Sequence, residues 1–330
     1  MLPAPFQNAL VLSGPTGCGK TVLAIDLAQG LAAEIVSMDS MALYRGMDIG
    51  TAKPTRGERA VVPHHLIDVL DPWESASVAW WLEQAKRCCQ EIESRGKRVL
   101  IVGGTPLYLK ALMCGLFDGP PADEAIRRRL TQEADVLGSP ALHQRLAAID
   151  PSSAVRIHPN DRRRMIRALE VHELTGKPIS AWQTQWPAAR GEEPSDRNQG
   201  TDVRDHGSVL WLDLPRDQLY ERIERRVEQM FDAGLAEEAR RLRTLERPLS
   251  LEASQALGYR EALELLDGRI TLKDAIMRVQ MRSRNLAKRQ ITWFRSLPGC
   301  RPATTELTAT LWINKMSGGK MPCREGAGPS

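Results

Sequence analysis

An α/β fold, a parallel sheet flanked by helices with a helical domain inserted into it, is predicted by three observations in this 330-residue chain. Short apolar runs alternate with amphipathic runs of helix length through the first third. The first apolar run leads directly into GPTGCGKT, residues 14–21, which fits the phosphate-loop pattern G-x-x-x-x-G-K-[ST] and makes the sheet P-loop NTPase-like. From residue 119 strand-like runs stop and Arg- and Ala-rich helical stretches take over to about residue 186, before strand character returns at 208–214.

The elements follow in order. Residues 9–13 form the first strand and 19–31 the helix whose N-terminus closes the phosphate loop. Residues 34–38 form the second strand, 78–94 a helix, 98–103 a strand and 107–114 a helix. Residues 188–207, rich in Arg, Glu, Gly and Asp, read as a linker or mobile loop, and everything from 216 to 296 reads as helices. The expected organisation is a core at 1–117, a helical insertion at 118–200, the core continued at 201–300, and a tail at 301–330 whose last 15 or so residues lack periodicity and are expected to be disordered. There are no internal repeats.

The phosphate loop carries the clearest chemistry. Glycines let the N–H groups of Gly14, Pro15's neighbour Thr16, Gly17, Cys18 and Gly19 turn toward phosphate oxygens, Lys20 adds positive charge at the outer phosphates, and the Thr21 hydroxyl is placed to ligate Mg2+. Ligands of open parallel sheets bind outside the carboxyl ends of the strands, so the residues after each strand belong together. Asp39 and Ser40 follow the second strand, and Gly103, Gly104 and Thr105 follow the strand at 98–103. Asp39 is a candidate general base or holder of metal-bound water, with a strand-end cap as the plain alternative; Thr105 precedes Pro106 as a helix cap would. The strand VLIVGG ends in glycines where a nucleotide hydrolase would place a Mg2+-holding acid, which disfavours ATP hydrolysis. The same glycines permit close approach of a ligand or backbone.

Formal charge is +4, from 45 Lys and Arg against 41 Asp and Glu, so nucleic-acid affinity has to come from local clusters. Two exist. Arg162, Arg163, Arg164 and Arg167 fall within a turn and a half, and Arg278, Arg282, Arg284, Lys288, Arg289 and Arg295 share a stretch without acids, with Gln290 and Trp293 interleaved. Trp182 and Trp186, four apart, read as a core pair. The six cysteines show no zinc spacing and read as reduced thiols; no run suits a membrane span, and no basic n-region precedes the first strand, so a soluble cytoplasmic protein is expected.

The segments GPTGCGKT, SMDSMALYRGMDIGTAKP, VPHHLIDV, VGGTPLYLKAL and LAKRQITWFR, with NDRRRMIRALEVHELTGKPIS and QALGYREAL, together resemble the tRNA dimethylallyltransferase (tRNA isopentenyl transferase) family over about nine tenths of the chain. The resemblance implies transfer of a dimethylallyl group from dimethylallyl diphosphate to N6 of the adenosine 3′-adjacent to the anticodon, in tRNAs reading codons that begin with U. It implies that the phosphate loop holds the donor's diphosphate, with Mg2+ at Thr21, that Asp39 takes the N6 proton, and that Thr105 helps hold the diphosphate and reacting groups. Arg222 and Arg226 are implied to close over the diphosphate. The anticodon stem-loop is expected to meet Asp39, Ser40, Met41, Ala42, Thr105, Arg127, Arg163, Arg164, Met165, Ile166, Arg167, Gln255, Ala256, Leu257, Gly258, Tyr259, Arg260, Arg278, Arg282 and Arg284. Ala42 and Cys18 depart from the family's usual Gln and small Ala or Ser. A monomer is expected. The rival readings are a P-loop kinase, in which Asp39 activates a hydroxyl, and a non-catalytic RNA-binding protein.

Overall fold

Six parallel strands in the order β3-β2-β4-β1-β5-β6 form the sheet of the computed structural model, which describes residues 2–116, 119–182 and 209–303. They are β1 (Leu10–Ser13), β2 (Ala33–Ser37), β3 (His64–His65), β4 (Arg98–Gly103), β5 (Val209–Leu212) and β6 (Cys300–Ala303). Period-two alternation divides the central strands between two cores: Val11 and Ile101 pack on one face with Trp81 and Trp211, while Leu10, Leu12 and Leu100 pack on the other with Leu27 and Ile223. Burial on both faces explains why β1 and the body of β4 read as unbroken apolar runs.

Helices α1 (Lys20–Leu31), α2 (Arg56–Val61), α3 (Val78–Ser94) and α4 (Pro106–Cys114) belong to the first half. In α3 the stripe Trp81, Ala85, Cys89 and Ile92 is buried at helical spacing, and burial pushes the Cys89 thiol up to about 12, so it is inert as a nucleophile at neutral pH. Strands β3 and β6 depart from the expected elements. The first is only two residues, and the second contains Arg301 and Pro302, both exposed, so neither presents an apolar run. Proline is tolerated in β6 because the strand lies at the sheet edge.

The chain divides into two compact units, residues 1–113 with 201–330, and residues 114–200. The second comprises α5 (Glu124–Leu137), α6 (Ser139–Ile149), α7 (Pro151–Arg156), α8 (Arg162–Thr175) and α9 (Ile179–Trp182) around Leu130, Leu142, Leu146, Met165 and Leu169. Asp123 caps α5 by accepting the N–H groups of Ala125 and Ile126, and Asp161 caps α8 through Arg164 N–H. Trp182 packs against this core. The first unit is completed by α10 (Arg216–Asp232), α11 (Leu235–Arg243), α12 (Leu251–Ser254), α13 (Tyr259–Leu266) and α14 (Leu272–Ser296). The linker expected at 188–207, Trp186 and the disordered end expected in the tail lie outside the described residues. No described helix is long and apolar enough to cross a membrane.

Candidate active site

The strand order places β4 between β2 and β1, so the loops leaving their carboxyl ends stand side by side. These are the loop bearing Asp39, the Gly103–Gly104–Thr105 loop, and the phosphate loop. At its two glycines the central loop has no room for a side chain. A Cβ on Gly103 would lie 2.2 Å from the Met38 carbonyl oxygen, and one on Gly104 would lie 2.9 Å from that of Gly14. The close approach that the paired glycines permit is therefore one of backbone to backbone on both sides.

Thr105 fastens the Asp39 loop. Its N–H donates to the Met38 carbonyl at 3.3 Å and its hydroxyl accepts the Ser40 N–H at 3.1 Å. Asp39 accepts the Met41 N–H at 2.8 Å through one carboxylate oxygen, which fixes the side chain in a local turn. On the other side, Gly17 and Gly19 adopt positive φ of 83° and 89°, the left-handed conformations that aim the loop's amides inward. Helix α1 starts with neither a side-chain cap nor a first-turn acid, which leaves its N-terminal N–H groups for an anion. Lys20 Nζ donates to the carbonyls of Gly14 and Pro15, both at 2.8 Å, and Arg222 reaches the Cys18 carbonyl at 3.4 Å.

A cavity of about 540 Å³ collects these groups: it is lined by Thr16, Lys20, Thr21, Asp39, Thr105 and Arg222 among others. A smaller cavity of about 80 Å³ shares Lys20, Thr21, Asp39, Thr51 and Ala52 with it and continues between Ala24, Ile35, Ala42, Ile67 and Val102. Asp39 and the end of the phosphate loop thus stand where the larger cavity meets a narrow recess, lined by these apolar groups together with Ser37, Lys53 and His64. His64 closes the recess, and burial lowers its pKa, keeping the imidazole neutral at pH 7. Arg226 also lines the larger cavity, half-buried and without an ion pair or hydrogen bond among the described residues. Burial pulls its pKa down, with the Asp39 carboxylate and the Cys18 sulfur opposing, yet a guanidinium stays charged. A partly desolvated cation that forms no ion pair or hydrogen bond with a carboxylate among the described residues suits an anionic ligand.

The sequence model of the family described as IPP transferase matches residues 42–297. This chain belongs to the IPP transferase family. It is 46% identical over 304 residues to the tRNA dimethylallyltransferase of Rhodopirellula baltica, covering 90% of this chain and 87% of the relative. It is 44% identical to that of Geobacter metallireducens, covering 87% and 89%. Among solved structures, the tRNA isopentenylpyrophosphate transferase of Bacillus halodurans aligns with TM-score 0.65 and 38% identity over 94% of this chain and 97% of its own. A eukaryotic dimethylallyltransferase acting on tRNA aligns with TM-score 0.71 and 25% identity over 96% and 82%.

Of the residues expected to meet RNA, Asp39, Ser40, Met41, Thr105, Ala256 and Leu257 line the larger cavity, and Ala42 lines the recess. Others are placed differently. Met165 is wholly buried in the core of the second unit, and Tyr259 is buried with its hydroxyl on Glu238 at 2.7 Å, so neither side chain is available at a surface. Arg127 and Arg167 both bond the buried Glu170, at 2.9 and 2.7 Å, which makes them partners of a structural carboxylate. Arg260 and Arg278 pair with Glu264, Arg282 with Glu261, and Arg284 with Glu224, so the stretch free of acids in sequence is supplied with them by neighbouring helices. Arg163 is exposed and makes no ion pair among the described residues, Ile166 is half-buried, Gln255 is exposed, and Gly258 turns the chain into α13 at φ 92°. Cys18 is buried behind the phosphate loop, which removes it from ready oxidation.

Two residues of this site were not singled out as site residues from the sequence. Gln290 is buried and bonds both flanking loops, and Glu238 accepts the N–H groups of Asp48, Ile49 and Gly50 at 3.0 to 3.2 Å, holding the cavity wall that carries Thr51 and Ala52. A signal for Gln290 was present. It falls on the buried stripe Val279, Ser283, Ala287, Phe294 of α14, where a long amide has to find partners.

Proposed function

We propose that this chain transfers the dimethylallyl group of dimethylallyl diphosphate to N6 of the adenosine 3′-adjacent to the anticodon, in tRNAs reading codons that begin with U. The observation that carries the reading is the shared border of the two cavities, where Asp39 stands beside Lys20 and Thr21. The diphosphate sits on the phosphate-loop amides, Lys20, Arg222 and Arg226, and the smaller recess takes the five-carbon tail beside Ala24, Ile35, Ile67 and Val102. The adenine, flipped from its stack, enters the larger cavity. Its N6 lone pair attacks C1 of the allyl group, the C1–O bond breaks with its electron pair leaving on the diphosphate, and the N6 proton passes to the Asp39 carboxylate. Positive charge at the loop stabilises the departing diphosphate, and enclosure keeps water from capturing the allylic carbon.

Mg2+ fits the donor set. The Thr21 hydroxyl lines both cavities without a hydrogen bond to another described group, and a magnesium ion takes few protein ligands when phosphate oxygens supply the rest. When bound there, it would neutralise charge on the diphosphate. Neither rival reading is favoured, since the family and its named relatives share transfer to tRNA. Incubation with labelled dimethylallyl diphosphate tests the proposal: the label is consumed only with unmodified tRNA present, and ATP does not substitute. ATP-dependent phosphorylation of a small molecule without prenyl transfer would contradict it.

A further inference from the structure

We propose that Gln290 is a positioning residue of this reaction: by locking the phosphate loop to the loop of Thr105, it keeps the leaving diphosphate and the Asp39 base in one fixed register. The inference rests on the function proposed above and adds a residue to it. Gln290 lies in α14 and is 6% exposed. Its Oε1 accepts the Thr16 N–H at 2.9 Å, and its Nε2 donates to the Gly104 carbonyl at 2.6 Å. An N–H can only donate and a carbonyl can only accept, so the two partners determine which way the amide points.

From Gly104 the connection continues through backbone. Thr105 is the next residue, and it is bonded to both Met38 and Ser40, the neighbours of Asp39. Beyond the paired strand tips at Ser13 and Gly103, no other side chain among the described residues is hydrogen-bonded to both loops. One glutamine therefore joins the group that holds the leaving anion to the group that receives the proton. The surroundings make this choice informative. Gln290 sits in a buried stripe of α14 with Ala275, Val279, Ser283, Ala287 and Phe294, where an apolar side chain would satisfy packing, whereas a buried amide costs free energy unless both ends are bonded. The Thr16 N–H, committed to Gln290, is also withdrawn from the set of loop amides free to bind phosphate.

In-line displacement at an allylic carbon is sensitive to this register, because a shift of about 1 Å between reacting groups can cost about 100-fold in rate. The test uses two variants of the full chain. Gln290→Met keeps length and apolar packing but removes both bonds. It should lower kcat about 10- to 100-fold while KM for dimethylallyl diphosphate and tRNA affinity change less than about threefold and Tm stays near that of the parent. Gln290→Glu can accept from Thr16 when ionised but opposes the Gly104 carbonyl; once protonated it can again do both. Its kcat relative to the parent should therefore rise as pH falls, a rescue that a packing role does not produce. A Met variant with parental kcat, a loss of kcat explained by loss of folding, or a Glu-to-parent ratio flat with pH would each overturn the proposal. Hydrogen exchange at the Thr16 amide gives a readout independent of activity: protected in the parent and faster in Gln290→Met. If the parent fails to prenylate tRNA, the functional reading falls; if Thr16 exchange is equal in both proteins, the Gln290 bridge falls by itself.

Discussion

Asp39 is held as firmly as it is aimed, since one carboxylate oxygen accepts the Met41 N–H and thereby shapes the loop that presents the other. Truncation to alanine would remove loop geometry together with basicity, so asparagine is the cleaner probe. Asp39→Asn keeps an acceptor for Met41 but cannot take a proton. It should reduce turnover about 100-fold or more with tRNA affinity nearly unchanged, as measured by steady-state kinetics beside filter binding. Parental turnover would remove Asp39 from the role of base. At this scale the sequence was informative for residues whose place follows from strand ends. The phosphate loop, Asp39 and Thr105 were readable because each follows a strand, and the parallel sheet brings strand ends together. The partners of Gln290 and Glu238 were not, because they lie 186 to 274 and about 190 residues away, and nothing local states which backbone groups these side chains will meet.

Among the elements, α8 shows how a basic run can serve the fold. Burial alone would raise the Glu170 carboxyl, but hydrogen bonds from Arg167, the Asp123 N–H and Arg127 outweigh it and hold it below the usual carboxylate range. A folded-state pKa below the unfolded one contributes stability that is complete above the unfolded value and is lost as pH falls through the folded one. Glu170→Gln should therefore cost about 1–3 kcal/mol at neutral pH, the lower part of that range if screening of the partly exposed arginines dominates. The difference from the parent should shrink as pH falls below the carboxylate range, and denaturant unfolding at several pH values checks it. The same helix presents Arg163 and Arg164, whose guanidinium groups are exposed, the latter paired among the described residues with Asp161. Neutralising these two should weaken tRNA binding and reduce its salt slope by about 2, with diphosphate binding unaltered. An unchanged slope would take α8 out of the RNA contact. The elements themselves were largely legible: α3 and β4 match their expected bounds, whereas β3 and β6 escaped because a two-residue strand and an edge strand containing Arg301 and Pro302 carry no periodic signal.

For the whole molecule, the decisive feature is the order β2-β4-β1, which no single segment encodes. It sets a loop of two glycines between the acid and the phosphate cradle, and those glycines let the three loops close to backbone contact. The result is a larger chamber and a smaller recess with Asp39 lining both. The most direct test is mass spectrometry of nucleosides from unmodified tRNA incubated with the protein, dimethylallyl diphosphate and Mg2+. A gain of one prenyl unit confined to the adenosine 3′ to the anticodon is the expected result; recovery of that adenosine unchanged, with the donor intact, would contradict the account.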